Sequence, residues 1–160
     1  MTGTEIRPLA LEDGPWLARW MVDRWGGERV VVHGMVYRPA QLPGFVALRG
    51  AGRVGLVTYH IEGAGCEIVT LDSLRERQGI GSVLIKAVKG VAREAACERL
   101  WLITTNDNLH AIGFYQRRGF RLAAIHPGAV DEARRVKPQI PEIGMDGIPL
   151  RDEIELEMTL

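Results

Sequence analysis

The sequence predicts a mixed α/β domain: a single mixed, mostly antiparallel sheet of six or seven strands with helices on both faces. Three observations carry that reading. Segments of strand and helix periodicity follow in the order strand, helix, three or four strands, helix, strand, helix, strand, strand. Residues 81–95 place Val83, Leu84, Ala87, Val88, Val91, Ala92 and Ala95 on one helical face, opposite Lys86, Lys89, Arg93 and Glu94. Residues 100–103 are continuously apolar, the mark of a buried strand with a parallel neighbour.

Each element has its own signal. Glu5–Pro8 reads as a short strand. Leu11, Trp16, Leu17, Trp20 and Met21 recur at helical spacing up to Trp25, where Gly26 and Gly27 end the helix. Trp16 and Trp20 are expected in the core. Residues 28–44 are open to two readings: Val30–Val32 has strand character, whereas Pro39, Pro43 and Gly44 suggest a loop. Residues 45–48 and 54–61 flank Gly50, Ala51 and Gly52 as a hairpin, and 67–71 form a further strand. A helix over 108–118 stops at Gly119, and 120–125 and 153–160 are the last two strands. Between those strands, 126–152 hold four of the eight prolines and at most one short helix, near 131–137. A connection that long is more often functional than idle. Arg134, Arg135 and Lys137 are expected on a solvated helix face.

Composition excludes several function classes. The 160 residues, 46% hydrophobic and 25% charged, suit one domain spanning 1–160 that needs neither disulfide nor metal to close its core. Twenty basic residues balance twenty acidic ones, and each half of the chain balances as well. That argues against a grip on nucleic acid or an anionic membrane. No apolar run approaches the roughly 18 residues of a membrane span, and the N-terminus lacks the basic-then-apolar pattern of a signal peptide. Cys66 and Cys97 are expected to be reduced, buried and inert, in a cytoplasmic setting. His33, His60, His110 and His126 show no metal-ligand spacing, so no metal is expected.

The most informative stretch runs from Leu71 through Asp72, Ser73, Leu74, Arg75, Glu76, Arg77 and Gln78 to Gly79, Ile80, Gly81 and Ser82. It leads from a strand through two glycines into a helix. Glycines there let the backbone approach a ligand closely. The first N–H groups of the helix have no internal partners and carry partial positive charge, which makes a phosphate site beside Arg75 and Arg77. A P-loop needs Lys-Ser/Thr after its second glycine, where Ser82-Val83 stands. A dinucleotide fingerprint needs a third glycine where Leu84 stands. A tight turn without ligand is the alternative.

Downstream lies Asn108-Leu-His-Ala111-Ile-Gly-Phe114-Tyr115-Gln-Arg-Arg-Gly119-Phe120. With both motifs in view, the sequence resembles the GNAT superfamily of N-acetyltransferases. That family carries a Gly-x-Gly turn after its fourth strand and an N-x-x-A-x-x-F-Y-x-x-x-G-F pattern after its fifth. Asn108, Ala111, Phe114, Tyr115, Gly119 and Phe120 match every fixed position of the second. The resemblance covers about residues 67–120. One departure stands in the turn: the family usually has Arg or Gln where this chain has Glu76, and the turn is short and lacks the usual proline.

The resemblance implies the GNAT fold, with acetyl-CoA as co-substrate in a cleft where the fourth and fifth strands splay apart. It implies that strand backbone around Leu71 and Ser73 pairs with the pantetheine arm. Arg77, Gln78, Gly79, Ile80, Gly81 and Ser82 would take the pyrophosphate. Asn108 would bond the pantetheine, and as a favoured cap residue it can start its helix as well. Tyr115 would be the general acid at the leaving sulfur, the alternative being an aromatic core residue. Glu67 corresponds to the family's frequent glutamate base, the alternative being an exposed strand carboxylate. Asp72 is the weaker base, since it should face away from Leu71.

The acceptor implied is a small-molecule or peptide amine, attacked directly in a ternary complex. No nucleic acid or membrane partner is implied, and dimers are common in the family. Two rivals are an acyl-CoA-binding sensor without turnover and a nucleotide-phosphate-binding regulatory domain. The charge balance hides a gradient: 72–121 carry nine basic and five acidic residues, whereas 138–160 carry one basic and six acidic. A basic side suits the phosphates of coenzyme A, and an acidic side suits a cationic amine.

Overall fold

In the computed structural model, residues 3–74 and 79–160 are described. The chain opens with β1 (Glu5–Pro8) and α1 (Gly14–Trp25), followed by a small hairpin of β2 (Val30–Val32) and β3 (Met35–Tyr37). Then come β4 (Gly44–Arg49), β5 (Gly52–Glu62) and β6 (Gly65–Ser73), followed by α2 (Ile80–Glu94). The C-terminal part holds β7 (Arg99–Thr105), α3 (Leu109–Arg117), β8 (Arg121–His126), α4 (Ala129–Val136) and β9 (Glu153–Thr159). No helix among the described residues is long and apolar enough to cross a membrane.

Seven strands form one sheet in the order β1-β4-β5-β6-β7-β9-β8. Every pairing is antiparallel except β6 with β7. The mixed, mostly antiparallel sheet is the one expected. Its fourth and fifth strands by that expectation are β6 and β7, because the separate β2–β3 hairpin adds two to the count. That hairpin settles the open reading of 28–44. Its strands have three residues each, too few for alternation to show, and its turn uses His33 at φ 39° and Gly34 at φ 77°. Two successive positive φ values match the twist of a tight hairpin.

Helices cover both faces. On one, Ile80, Leu84, Ile85, Val88 and Ala92 of α2 repeat at helical spacing and pack with Val57, Ile68, Leu100 and Leu156, whereas Val83 and Ala95, expected on that face, are exposed because the stripe is turned towards Ile85. Tyr115 and Phe120 close the same core from the α3 side. On the other face, Leu17, Trp20 and Met21 of α1 pack with Val30, Val32 and Tyr37 of the hairpin and with Leu56 and Val69. Trp16 and Trp20 lie 5.1 Å apart, and Trp20 is buried as expected. Cys66 and Cys97 are buried, and burial pushes the Cys66 thiol up to about 12.

One surface expectation fails. Arg135 is exposed, but Lys137 and Arg134 are not solvated. The chain after α4 folds back, so Arg134 donates to the carbonyls of Ile140, Pro141 and Leu150. Lys137 Nζ donates to the carbonyls of Trp25 and Arg29, at 3.0 and 2.8 Å. Nothing local to a short polar helix announces the distant carbonyls that its side chains meet.

Candidate active site

The site begins with a missing pairing. β6 and β7 are bonded only from Gly65↔Arg99 to Ile68↔Leu102, and beyond that register the strands part. Residues 70–73 keep their β5 neighbour, but the other edge of 69–73 has no strand partner among the described residues. The resulting cleft has a volume of about 600 Å³. Leu71, Asp72 and Ser73 form one wall, and Asn108, Ala111 and Tyr115 of the α3 region form the other. Gly79, Ile80 and Gly81 close its end with the start of α2.

That end is electropositive. Gly79 sits at φ 75°, a left-handed conformation that turns the strand into the helix. The helix therefore aims its unpartnered N–H groups towards the cleft. A Cβ on Gly81 would lie 2.8 Å from the Phe114 ring, so α2 and α3 meet here more closely than any side chain allows. Arg118 stacks 3.5 Å from the centre of that ring and donates from Nε to Ser82 Oγ at 2.8 Å. Ser82 thus anchors Arg118 rather than lining the cleft. Arg24, Arg117 and Arg118 all line it, a basic set to which α1 and α3 contribute. Arg77, Gln78 and the departing Glu76 lie outside the described residues.

Tyr115 is 8% exposed and reaches the cleft from a cage of Phe114 and Phe120, both edge-on at 5.2 and 5.4 Å. Burial pushes its phenol pKa up, the Asp72 charge adds to this, and Arg118 opposes it. The hydroxyl therefore keeps its proton at neutral pH. Asn108 caps α3, its Oδ1 accepting the Ala111 N–H at 3.1 Å. The Leu109–Arg117 helix consequently starts where the cleft does.

Glu67 is elsewhere. In β6 the pairing passes from Tyr59↔Ile68 to Thr58↔Thr70, so Val69 is one residue too many, a bulge. Simple alternation would set Glu67 on the face of Leu71; the bulge sets it on the face of Asp72. Glu67 is buried, not an exposed strand carboxylate, and does not line the cleft with Tyr115. Its carboxylate accepts from His33 Nε2 at 2.9 and 2.8 Å and from Tyr37 Oη at 2.7 Å. The hydrogen bond to Glu67 raises the His33 pKa against the opposing effect of burial. The His33 N–H in turn donates to Glu153 Oε1 at 3.0 Å. Asp72 faces α1, away from Leu71 as expected, and accepts from the indoles of Trp20 and Trp25 at 3.1 and 2.6 Å.

The structure thus brings Leu71, Ser73, Gly79, Ile80, Gly81, Asn108 and Tyr115 to one cleft. It also adds residues that sequence reasoning missed. Arg24 is 47 positions before Leu71, and no local pattern marks it. His33, Tyr37 and Glu153 meet Glu67 only through the hairpin and the last strand.

The family model of the acetyltransferase (GNAT) family matches residues 11–120. The uncharacterized protein YdhI of Bacillus subtilis (strain 168) is 45% identical over 139 residues, 86% of this chain and 87% of that protein. Among solved structures, the IAA acetyltransferase from Bacillus cereus superposes with a TM-score of 0.74 at 20% identity, covering 99% of this chain and 100% of that one. A GNAT family acetyltransferase from Elizabethkingia anophelis with acetyl-CoA bound gives 0.69 at 22% identity, covering 98% of both. The structural likenesses speak for the fold; the family match spans the cleft-forming turn and the α3 motif together. By that match, the chain belongs to the acetyltransferase (GNAT) family.

Proposed function

We propose that this enzyme transfers the acetyl group of acetyl-CoA to a primary amine by direct attack in a ternary complex. The observation that carries the reading is the unpaired edge of residues 69–73, which leads straight to the electropositive start of α2. Pantetheine amides complement a strand edge, and a pyrophosphate complements a helix N-terminus. Leu71 and Ser73 would hold the arm through backbone groups. Gly79, Ile80, Gly81, Arg77 and Gln78 would hold the phosphates, with Ser82 acting through Arg118. Asn108 spends Oδ1 on its cap, so its amide N–H groups serve the arm. The Elizabethkingia anophelis relative of this fold has acetyl-CoA bound, in keeping with the reading.

Acetyl-CoA supplies an activated acyl carbon on sulfur. Tyr115 holds its proton and donates it at the departing sulfur. A thiol, at about 8.5, is more acidic than an ordinary tyrosine at about 10, so the sulfur leaves as a thiolate that Tyr115 can meet with a proton. In the overall balance an ammonium acceptor loses two protons while its nitrogen gains the acyl carbon. One proton replaces the C–S bond on sulfur and the other goes to solvent. Glu67, paired with His33, is the proposed base on that second path, working through water.

The test is acetyl-CoA with a panel of amines, read by release of free thiol. Thiol release that depends on both substrates is expected. Tight acetyl-CoA binding with no thiol released by any acceptor would instead identify a binding module.

A further inference from the structure

Beside the cofactor cleft lies a second cavity, of about 400 Å³, within the range of small-ligand sites. Its walls are apolar: Val30 and Val31 of the hairpin, Val130 and Ala133 of α4, and Ile140 and Leu150 of the segment that follows. Two contacts join it to the cleft. Arg24 lines both spaces. Trp25 lines the second, and its indole N–H donates at 2.6 Å to Asp72, which lines the first.

Among polar groups that include Thr105 and Gln139, its lining holds one carboxylate. Glu153 is 3% exposed and lines it from the start of β9. Its Oε1 accepts the His33 N–H, while Oε2 has no partner among the described residues. No side-chain nitrogen or oxygen among those residues is both sealed from solvent and without a partner, so Oε2 is not sealed, and the cavity is the space that Glu153 lines. A desolvated carboxylate with one free oxygen in an apolar chamber calls for a cation that donates N–H. The two cations in the walls do not supply it: Lys137 donates to the carbonyls of Trp25 and Arg29, and Arg24 to that of Ser73.

We infer that this cavity takes the acetyl acceptor as a small primary amine with a compact apolar body and no carboxylate, its ammonium directed to Glu153. The inference rests on the acetyl-transfer reading above and adds the chemistry of the acceptor. An amino acid would bring a second carboxylate among valines and beside Glu153, where the two like charges repel. Glu153 is then a specificity-determining residue, and the segment after α4 is the wall that measures the apolar body.

The experiment is calorimetric titration of the full chain, with and without saturating CoA. Isoamylamine and phenethylamine are compared with leucine and phenylalanine, which add the carboxylate, and with isoamyl alcohol, which lacks the charge. The amines are expected to bind about tenfold or more tightly than either comparison set. Glu153→Gln keeps an acceptor oxygen for the His33 N–H and should weaken the amines about tenfold while acetyl-CoA affinity stays unchanged. Ala133→Phe, which fills the cavity, should do the same. Equal or tighter binding of the amino acids, or undiminished amine binding by Glu153→Gln, overturns the inference. Absence of acetyl-CoA binding overturns the acetyl-transfer reading instead, and the amine titrations on the chain alone still decide the pocket.

Discussion

Asp13 and Tyr115 are both buried, yet they carry opposite electrical states for opposite reasons. Asp13, 1% exposed, accepts from Arg7 at 2.7 and 2.9 Å, from Arg53 at 3.0 Å and from the Ala10 N–H at 2.8 Å. The Arg7 hydrogen bonds hold its carboxyl far below the usual carboxylate range, overcoming the burial that pushes the other way. A carboxyl whose folded pKa is depressed adds stability above its unfolded pKa and loses it as pH falls through the folded value. Asp13→Asn is therefore expected to cost about 3 kcal/mol near neutral pH. That cost should shrink steadily in acid, as read by denaturant melts across pH. At Tyr115 burial outweighs the nearby charge of Arg118, and the phenol stays protonated. Tyr115→Phe removes only the donating hydroxyl. It should lower kcat by about 10² or more while acetyl-CoA affinity holds; an unchanged kcat would remove Tyr115 from the chemistry.

At the scale of elements, the bulge in β6 and the start of α2 build the site together. The bulge swaps the faces of all residues before Val69, sending Glu67 to the hairpin side while Leu71 stays on the α2 side. The start of α2 then depends on Gly81, since the Phe114 ring occupies the space a Cβ would need. Gly81→Ala should cost about 1–3 kcal/mol by overpacking. Because Phe114 also lines the cleft, the variant should bind acetyl-CoA more weakly, which a thermal melt and a titration separate. The segment between α4 and β9 is likewise pinned rather than loose. Asn106 bonds Pro149, Arg151 and Asp152, and Asp107 accepts the Met145 N–H at 2.9 Å. Replacing residues 138–150 by a polar linker should change which amines are acetylated, while acetyl-CoA binding persists. An unaltered acceptor profile would remove that segment from specificity.

For the whole molecule, the even charge resolves into a gradient. Arg24, Arg117 and Arg118 surround the cleft, whereas the acidic end of the chain supplies Glu153 to the second cavity. A ligand present at 100 times its Kd stabilises the fold by about 2.7 kcal/mol. Acetyl-CoA at that ratio should raise Tm by about 5–11 °C, and ATP or NAD at equal concentration should not. Equal stabilisation by ATP would favour a general nucleotide-phosphate site.

How far the sequence reached depends on the range of the interactions. Local chemistry was legible: the α2 stripe, the Asn108 cap, the glycine turn and the apolar β7 are each dictated within about one helical turn or strand of their own residues. The family pattern joined the turn to Tyr115 for the same reason, since both lie at element ends with distinctive residues. What only the tertiary structure decided is long-range. His33 meets Glu67 across 34 positions and Glu153 across 120, and Lys137 reaches Trp25 across 112. Whether a carboxylate is solvated or sealed, or a lysine free or spent, depends on which distant backbone arrives beside it. The sequence by itself determined the order of the main sheet's strands and helices, the glycine turn into α2 and the α3 motif that carries Tyr115. Packing alone placed β9 between β7 and β8, and with it brought Glu153 to the wall of a second cavity.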